Sequence, residues 1–268
     1  MALPPPSDSL TALVTGASAG IGEAIARELA ARGYGVTLTA RREDRLRSLA
    51  EELAATYGVR AEAIGADLGD AAARDGLAAA IAELGLDVEI LVNNAGFGGS
   101  GDFASAERER LVSMVELNCA ALLDFQARYL PGMVERGRGA VINVASTSAF
   151  QPLPGSATYA ATKAFVLSLS EAVHEELKGS GVTLTAICPG PVRTEFTQAA
   201  GMPQAEEGTP DFVWMSAESV AKAALDAAEK GKRAIVPGLL NRAGTLAGQH
   251  GPRKLVLPIV KRVWRQAL

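Results

Sequence analysis

The chain has 268 residues, of which 48% are hydrophobic and 21% are charged, and its formal net charge is −4 at pH 7. This composition is typical of a globular protein that can bury one large core. The negative charge argues against general binding to nucleic acids, and no apolar run approaches the roughly 18 residues that a membrane span needs.

Short apolar runs alternate with longer helical patterns along the chain. Strict alternation of this kind predicts a doubly wound α/β fold, in which helices cover both faces of a parallel sheet. No linker or repeat divides the chain, and we interpret residues 1–268 as one domain. The strands are predicted at residues 10–15, 35–40, 60–65, 88–93, 140–145, 183–188 and 233–236, and the helices at 21–31, 43–57, 70–83, 107–135, 156–178 and 218–230.

The run Thr15-Gly16-Ala17-Ser18-Ala19-Gly20-Ile21-Gly22 follows the first predicted strand. Gly16 permits a tight turn, Gly20 removes a side chain where phosphate oxygens must approach, and Gly22 allows close helix packing. The N–H groups at the start of the next helix can then bind a pyrophosphate. The run therefore predicts a dinucleotide site, with a plain strand-to-helix turn as the alternative.

The second predicted strand ends in Ala40-Arg41-Arg42. An NAD site would carry an acidic residue there, which binds the ribose 2′-hydroxyl. A guanidinium group instead matches a 2′-phosphate. Arg41 and Arg42 therefore predict NADP(H) as the cofactor, and a solvated helix start is the alternative.

Two further motifs lie where predicted strands three and four end. Asp67, followed by Leu68, can accept a hydrogen bond from the adenine amino group or can cap the next helix. Asn93-Asn94-Ala95-Gly96 lies beside the expected cofactor crevice. Its asparagines can bind neighbouring strands or the ligand, while Gly96 permits a close approach of the cofactor.

Tyr159 and Lys163 are four residues apart in a predicted helix, and they therefore share one face of it. An ammonium group in that position can lower the pKa of the phenol from about 10 toward neutrality. A tyrosine with such a pKa can donate or accept a proton at physiological pH. Ser146 precedes Tyr159 by thirteen residues and follows the fifth predicted strand.

Together these motifs, with Asn118 and Pro189-Gly190, resemble the short-chain dehydrogenase/reductase family in order and spacing from about residue 10 to residue 195. The resemblance implies a seven-stranded Rossmann-like sheet and interconversion of a carbonyl compound and an alcohol. Tyr159 would be the general acid or base, and Ser146 would bind the substrate oxygen. Lys163 would bind the nicotinamide ribose and lower the pKa of Tyr159.

Asn118 would hold a water that relays protons to Lys163, unless its side chain only bonds within its own helix. The segment from Pro189 to Thr194 would border the nicotinamide, and Thr194 would bind its carboxamide. The cofactor-binding residues predicted in this way are Gly16, Ser18, Gly20, Ile21, Gly22, Arg41, Arg42, Asp67, Leu68, Asn94, Ala95, Gly96, Tyr159, Lys163, Pro189, Gly190, Val192 and Thr194.

Residues 195–216 interrupt the regular alternation of elements, and their scattered apolar side chains favour a substrate-covering loop over a disordered linker. With Phe97, Gly98 and residues 150–153, this segment would form a largely apolar substrate wall. We expect a ketone or an aldehyde with a hydrophobic body, reduced in the cell to an alcohol. The alternative is a non-catalytic NADP(H)-binding redox sensor on the same fold.

The helices around Asn118 and Tyr159 are rich in Ala, Leu and Val. They could pair with those of a second copy, and the family resemblance implies a homodimer or a homotetramer. Cys119 and Cys188 lie in apolar sequence, which predicts buried free thiols. The proline-rich N-terminus is unlike a signal peptide. Together these two features predict a cytoplasmic protein.

With only two histidines and no Cys/His cluster, we expect no metal site. His174 is interpreted as a surface or interface residue, and His250 as part of a glycine-rich turn.

The C-terminal tail, residues 252–268, contains five bases and no acid. Three interpretations remain open. The tail packs on the acidic body, it attracts an anionic group of a substrate, or it contacts an anionic membrane surface. Pro258 is expected to interrupt any long helix in the tail.

Overall fold

The computed structural model describes residues 3–200 and 211–266. Within these ranges, the strands form one parallel seven-stranded sheet in the order β3-β2-β1-β4-β5-β6-β7. This topology confirms the predicted Rossmann-like, doubly wound arrangement, and its switch point lies between β1 and β4. The strands are Leu10–Thr15 (β1), Val36–Ala40 (β2), Ala61–Gly65 (β3), Asp87–Asn93 (β4), Gly139–Val144 (β5), Val182–Ile187 (β6) and Ala234–Ile235 (β7).

Helices follow the strands as predicted, but the long region at 107–135 is divided by a π-helical segment, Glu116–Ala121. Short 3₁₀ turns occur at Phe103–Ser105, Thr147–Phe150 and Asp211–Val213. The α-helices are Gly20–Ala31 (α1), Glu43–Tyr57 (α2), Ala71–Glu83 (α3), Arg108–Val115 (α4), Leu122–Arg136 (α5), Ala157–Glu176 (α6), Phe196–Ala199 (α7), Ala217–Glu229 (α8), Leu239–His250 (α9) and Arg253–Gln266 (α10).

Hydrophobic cores lie on both faces of the sheet. In β1, Val14 belongs to the core that contains α1, α2 and α8. Its neighbour Leu13 belongs to the core that contains α3 and α5. Successive strand residues point to opposite faces, and both faces are therefore apolar along each central strand.

A chain of buried side-chain hydrogen bonds joins β4, β5 and α6. Asn93 and Asn143 are register partners in adjacent strands, and Asn93 Nδ2 donates to Asn143 Oδ1 at 3.0 Å. Asn143 Nδ2 donates to Ser170 Oγ at 2.8 Å, and Ser170 Oγ donates to Val166 O at 2.6 Å. The structural role expected for Asn93 is thus present in the fold.

Two expectations for the second half of the chain, for Pro258 and His250, are corrected, and that for His174 stays a prediction. Pro258 does not end the tail helix, because α10 continues through it to Gln266. His250 is the last residue of α9 and not part of a glycine-rich turn. His174 is half-buried, and its Nδ1 lies 2.7 Å from the carbonyl oxygen of Leu184 in β6.

Several other features follow from the described residues. Cys119 and Cys188 are buried free thiols, as predicted. Of the helices in the described ranges, none is long and apolar enough to cross a membrane. Nor do these ranges contain a group of three or more His, Cys, Asp or Glu side chains placed to hold a metal ion. Residues 201–210 of the predicted substrate loop and the last two residues of the tail lie outside the described residues.

Candidate active site

The glycine run forms the turn between β1 and α1. Gly16 and Gly20 have φ angles of 67° and 61°, in the left-handed region that favours glycine. A Cβ atom at Gly22 would lie 2.4 Å from the Gly16 carbonyl oxygen and 2.4 Å from Asn94 Nδ2. The start of α1 therefore packs closely against the turn that precedes it and against the end of β4.

Thr15 and Asn94 hold this turn to β4. Asn94 Nδ2 donates to the carbonyl oxygen of Thr15 at 2.9 Å, and the backbone N–H of Asn94 donates to Thr15 Oγ1 at 2.9 Å. The Ala95 amide donates to the same hydroxyl at 3.0 Å. The side chain of Asn94 thus has the structural role that was foreseen as an alternative to ligand contact.

The beginning of α1 fits a dinucleotide pyrophosphate. Its first turn contains N–H groups that have no partner within the helix, and its N-cap residue, Ala19, makes no side-chain capping bond. A Cβ atom at Gly20 would meet Thr194 Cγ2 at 3.0 Å. The structure therefore brings Thr194, expected at the nicotinamide, next to the turn expected at the phosphates.

Arg42 is held against the glycine run. Its Nε and Nη2 donate to Ser18 Oγ at 3.1 and 3.0 Å. Its Nη1 lies 2.6 Å from Glu195 Oε2, and Arg45 Nη1 lies 2.7 Å from the other oxygen of Glu195. Arg41, in contrast, is exposed.

Asp67 does not cap a helix, which corrects one of its two interpretations. Its Oδ1 accepts from the amide of Gly69 at 3.0 Å, whereas Asp70 caps α3 by accepting from Ala72 N at 2.9 Å. Asp67 is exposed at the carboxyl edge of the sheet. The adenine interpretation of Asp67 stays a prediction.

Three apolar residues among the predicted cofactor contacts pack into the protein cores. Ile21 packs on one side of the sheet, and Leu68 and Ala95 pack on the other. Any contact between these residues and a cofactor would therefore come mainly from their backbone atoms.

Tyr159, Ser146 and Lys163 come together where β5 meets α6. Ser146 lies close enough to Tyr159 to influence the acidity of its phenol. Lys163 Nζ donates to the carbonyl oxygen of Val144 at 2.7 Å and lies 5.9 Å from the centroid of the Tyr159 ring. A proton-donating phenol, a hydroxyl and a buried ammonium thus share one small site.

Burial dominates the acidity of this pair. It raises the pKa of Tyr159 to about 12, while the neighbouring Ser146 side chain acts in the opposite direction. Burial also lowers the pKa of Lys163 to about 8. The expected lowering of the Tyr159 pKa by Lys163 is therefore not seen in the protein alone, because the loss of water around the phenol outweighs it.

Asn118 lies in the π-helical segment and is buried. Its side chain does not bond within its own helix, because Oδ1 accepts from Phe97 N at 3.1 Å and Nδ2 donates to Phe97 O at 3.0 Å. Nδ2 also lies 3.0 Å from Thr162 Oγ1. A Cβ atom at Gly96 would lie 2.8 Å from Asn118 Oδ1 and 3.7 Å from Lys163 Nζ, so glycine is needed there for space.

The segment after β6 runs along the same edge of the sheet. The carbonyl oxygen of Pro189 accepts from Thr147 N at 2.9 Å, and Val192 is buried and bridges to Met215. A Cβ atom at Gly190 would lie 2.3 Å from Asn241 Oδ1 of α9. The predicted nicotinamide border is thus backed by a helix that the sequence did not indicate.

The apolar wall above Tyr159 includes Phe196, the first residue of α7. The rings of Tyr159 and Phe196 are 5.6 Å apart between centroids. A Cβ atom at Gly98 would lie 2.9 Å from Phe196 Cζ. The start of the predicted substrate loop therefore closes over the phenol.

Three residues of this region were not predicted to have these contacts. They are Arg45, Glu195 and Asn241. Phe196, in contrast, belongs to the apolar wall that the sequence predicts. The three unpredicted residues contact partners that are distant in sequence, and their residue types alone carry no signal for such contacts.

Comparison with known proteins agrees with this geometry. A family model for short chain dehydrogenase matches residues 10–205. A putative ketoacyl reductase of Streptomyces coelicolor is 39% identical over 189 residues, which cover 70% of this chain and 72% of that protein. The NADP-dependent 3-hydroxy acid dehydrogenase YdfG of Salmonella typhi is 40% identical over 187 residues, which cover 69% of this chain and 74% of that protein.

A solved structure is similar over most of the molecule. The short-chain dehydrogenase from Sphingobium yanoikuyae, in complex with NADPH, is 36% identical and superposes with a TM-score of 0.79. The similarity covers 89% of this chain and 92% of that one. We conclude that the chain belongs to the short-chain dehydrogenase/reductase family and is an oxidoreductase of that family.

Proposed function

We propose that this oxidoreductase reduces a ketone or aldehyde with a hydrophobic body to the alcohol, with Tyr159 as the general acid. The observation that carries the proposal is the arrangement of Tyr159 between the Ser146 hydroxyl and the Lys163 ammonium, beneath Phe196. The cofactor is NADP(H), since the Salmonella relative is NADP-dependent and the Sphingobium structure contains NADPH.

The residues that fit the cofactor lie in the turn between β1 and α1 and at the carboxyl edge of the sheet. The start of α1, Ser18 and Arg42 would hold the phosphates. The nicotinamide half would lie along Gly96 and Thr194. When bound, NADPH supplies the hydride that the carbonyl carbon needs.

The proton comes from the protein. Ser146 positions the carbonyl oxygen by a hydrogen bond, and Tyr159 donates its phenolic proton to that oxygen as negative charge develops on it. A phenol with a pKa of about 12 is fully protonated at physiological pH, which is the form that reduction requires. This protonation state supports reduction as the direction of the reaction.

Lys163 and Asn118 support the phenol. Lys163, whose pKa is about 8, keeps most of its charge at neutral pH and would stabilise the phenolate left after proton transfer. Both amide atoms of Asn118 already bond to Phe97 and Thr162. We therefore assign the Asn118 side chain a positioning role, which fixes the residues that flank Gly96 and Lys163, and the water relay implied by the family stays a hypothesis.

The apolar side chains around Tyr159 indicate the class of substrate. Phe196 covers Tyr159, and Leu153 is buried beside the 3₁₀ turn that follows Ser146. Such a surface binds apolar groups and offers few partners to a polyhydroxylated molecule.

The test combines a substrate panel with a variant. NADPH oxidation is measured with ketones, aldehydes, quinones and acyl-thioesters, for the wild type, Tyr159→Phe and the control Tyr57→Phe, which alters an exposed tyrosine of α2. Removing only the proton donor should lower kcat by about 10²–10⁴-fold although NADPH still binds, while the control retains full activity.

Two results would contradict the proposal. Turnover by Tyr159→Phe within tenfold of the wild type would exclude the phenol as the acid. Tight NADPH binding without turnover of any panel member would favour the redox sensor instead.

We also propose that the protein is a cytoplasmic homo-oligomer. Val112, Val115, Leu123 and Phe165 are large exposed apolar residues on α4, α5 and α6, and pairing with a second copy would cover them. Its buried free thiols suit a reducing compartment. Sedimentation velocity gives the assembly state, and a monomer at tens of micromolar protein would refute the oligomer.

A further inference from the structure

One carboxylate joins two arginines at the edge of the glycine run. Glu195 Oε2 lies 2.6 Å from Arg42 Nη1, and Glu195 Oε1 lies 2.7 Å from Arg45 Nη1. Arg42 is the N-cap residue of α2, and Arg45 lies in the first turn of that helix. The arrangement is a small anion site that is filled by a side chain of the chain itself.

The location of this site decides what else would bind there. Arg42 is fixed to the glycine run by its two bonds to Ser18 Oγ. The site also lies at the N-terminus of α2, which has no side-chain cap and favours negative charge. It therefore adjoins both the predicted pyrophosphate turn and the end of β2, where the adenosine ribose is expected.

We propose that Arg45, together with Arg42, forms the 2′-phosphate site of NADP(H), and that Glu195 is an internal carboxylate which this phosphate must displace. The proposal rests on the function proposed above for Arg42. It adds Arg45 as a cofactor-binding residue and makes Glu195 a determinant of cofactor preference.

Charge and exposure make the exchange feasible. A phosphate monoester carries a charge of about −1.5 to −2 and has three acceptor oxygens, compared with one charge and two oxygens for Glu195. The three side chains are 42%, 48% and 50% exposed for Arg42, Arg45 and Glu195. Ion pairs at such exposure are weak, so a stronger anion can replace the carboxylate.

Glu195 competes at every physiological pH. Hydrogen bonds from Arg45 and Arg42 hold the pKa of its carboxyl below the usual value. The carboxylate is therefore ionised whenever the cofactor is present, and its effect is a constant reduction in affinity for the phosphorylated ligand. NADH lacks the 2′-phosphate, and its binding therefore does not require Glu195 to leave the two arginines.

The test measures binding to the full-length protein by isothermal titration calorimetry, without turnover. The probes are adenosine 2′,5′-bisphosphate and 5′-AMP, which differ only by the 2′-phosphate. Glu195→Gln should bind the bisphosphate about three- to tenfold more tightly, and Arg45→Gln about tenfold more weakly. Both variants should bind 5′-AMP within twofold of the wild type.

Matched controls alter the same charges elsewhere on α2. Glu52→Gln removes a carboxylate that bonds to Arg27 through both oxygens, and Arg47→Gln removes an arginine that pairs with Glu43. Neither control should change the ratio of the two affinities.

The outcomes separate this inference from the proposed function. An unchanged or weaker affinity of Glu195→Gln for the bisphosphate overturns the role of Glu195, and an unchanged affinity of Arg45→Gln overturns the role of Arg45. Arg42→Gln tests the underlying assignment, because equal losses for both probes would show that the 2′-phosphate binds elsewhere.

Discussion

Burial moves Tyr159 and Lys163 toward their neutral forms. The phenol has a pKa of about 12 and the ammonium a pKa of about 8, compared with usual values near 10 and 10.5. Lys163 is the costlier of the two at neutral pH, because it stays charged in a buried site and has the carbonyl oxygen of Val144 as a partner. The protein thus maintains a buried positive charge at the position where the proposed mechanism requires one.

The pH dependence of stability should reveal that cost. Between about pH 8 and 10.5 the unfolded chain keeps a proton on Lys163 that the folded protein releases, so this group makes the folded state more stable as the pH rises through that window. In Lys163→Met the contribution disappears. The free energy of unfolding of the variant, relative to the wild type, should therefore fall by about 3 kcal/mol across the window.

Urea unfolding of both proteins at pH 7.5, 9 and 10.5 measures this difference. Comparison with the wild type removes the opposite contribution of Tyr159, which titrates in both proteins. A difference that does not change with pH would mean that Lys163 has an ordinary pKa.

Single residues differ in how far the sequence reveals them. Arg42 and Tyr159 stand in short local patterns, and the structure places them beside the glycine run and beside Ser146. Glu195 and Arg45 are 150 positions apart, and their contact depends on how the segment after β6 returns to the start of α2. Local patterns carry no information about such a meeting.

Among the elements, α1 is packed closely against its neighbours at Gly22. A methyl group at Gly22 would collide with the Gly16 carbonyl and Asn94 Nδ2, both at 2.4 Å. Neither partner can move freely, because one is backbone and the other is hydrogen-bonded to Thr15 O. The helix can therefore accept a side chain there only by shifting as a whole.

Gly22→Ala should destabilise the protein by about 1–3 kcal/mol through this overpacking. Gly76→Ala provides the control, since Gly76 is a helical glycine of α3 with no atom within 4 Å of the added methyl. That control should raise stability by about 0.5–1 kcal/mol. Urea midpoints for the two variants give the comparison, and equal effects would show that the contact at Gly22 is relaxed without cost.

The strands were predictable to within a residue or two because apolar runs bounded by glycine have few other interpretations. The tail helix was not, because Pro258 removes one backbone donor and normally ends a helix. Here Pro258 is exposed, so water can satisfy the carbonyl that loses its partner. The π-helical turn around Asn118 has no local signature, and it reflects contacts with Phe97 and Thr162.

On the scale of the whole molecule, charge is divided between the body and the tail. Lys254, Lys261 and Arg262 of α10 are exposed, while Val256 and Val260 of the same helix are half-buried. Among the described side chains, no base of the tail forms a salt bridge with an acid of the body. No described salt bridge therefore holds the tail to the body, and all three interpretations of the tail stay open.

The membrane interpretation predicts binding to anionic vesicles. The wild type should sediment with phosphatidylserine-containing vesicles at low salt and be released at about 0.5 M NaCl, because the attraction is electrostatic and screened. Replacing Lys254, Lys261 and Arg262 with Gln should abolish sedimentation while keeping the helix. Phosphatidylcholine vesicles serve as the control, and failure of the wild type to bind the anionic vesicles would refute the membrane interpretation.

The hydrogen-bonded chain from Asn93 through Asn143 to Ser170 limits the movement of α6 relative to the sheet. Ser170 lies seven residues, or about two helical turns, beyond Lys163 and therefore on the same face of α6. The two asparagines are fixed by strand pairing, so the helix cannot slide along the sheet without breaking a buried bond. The position of Tyr159 relative to the sheet edge is thus fixed by contacts about two helical turns away from it. We therefore expect substitutions on the outer side of α6 to leave that position unchanged.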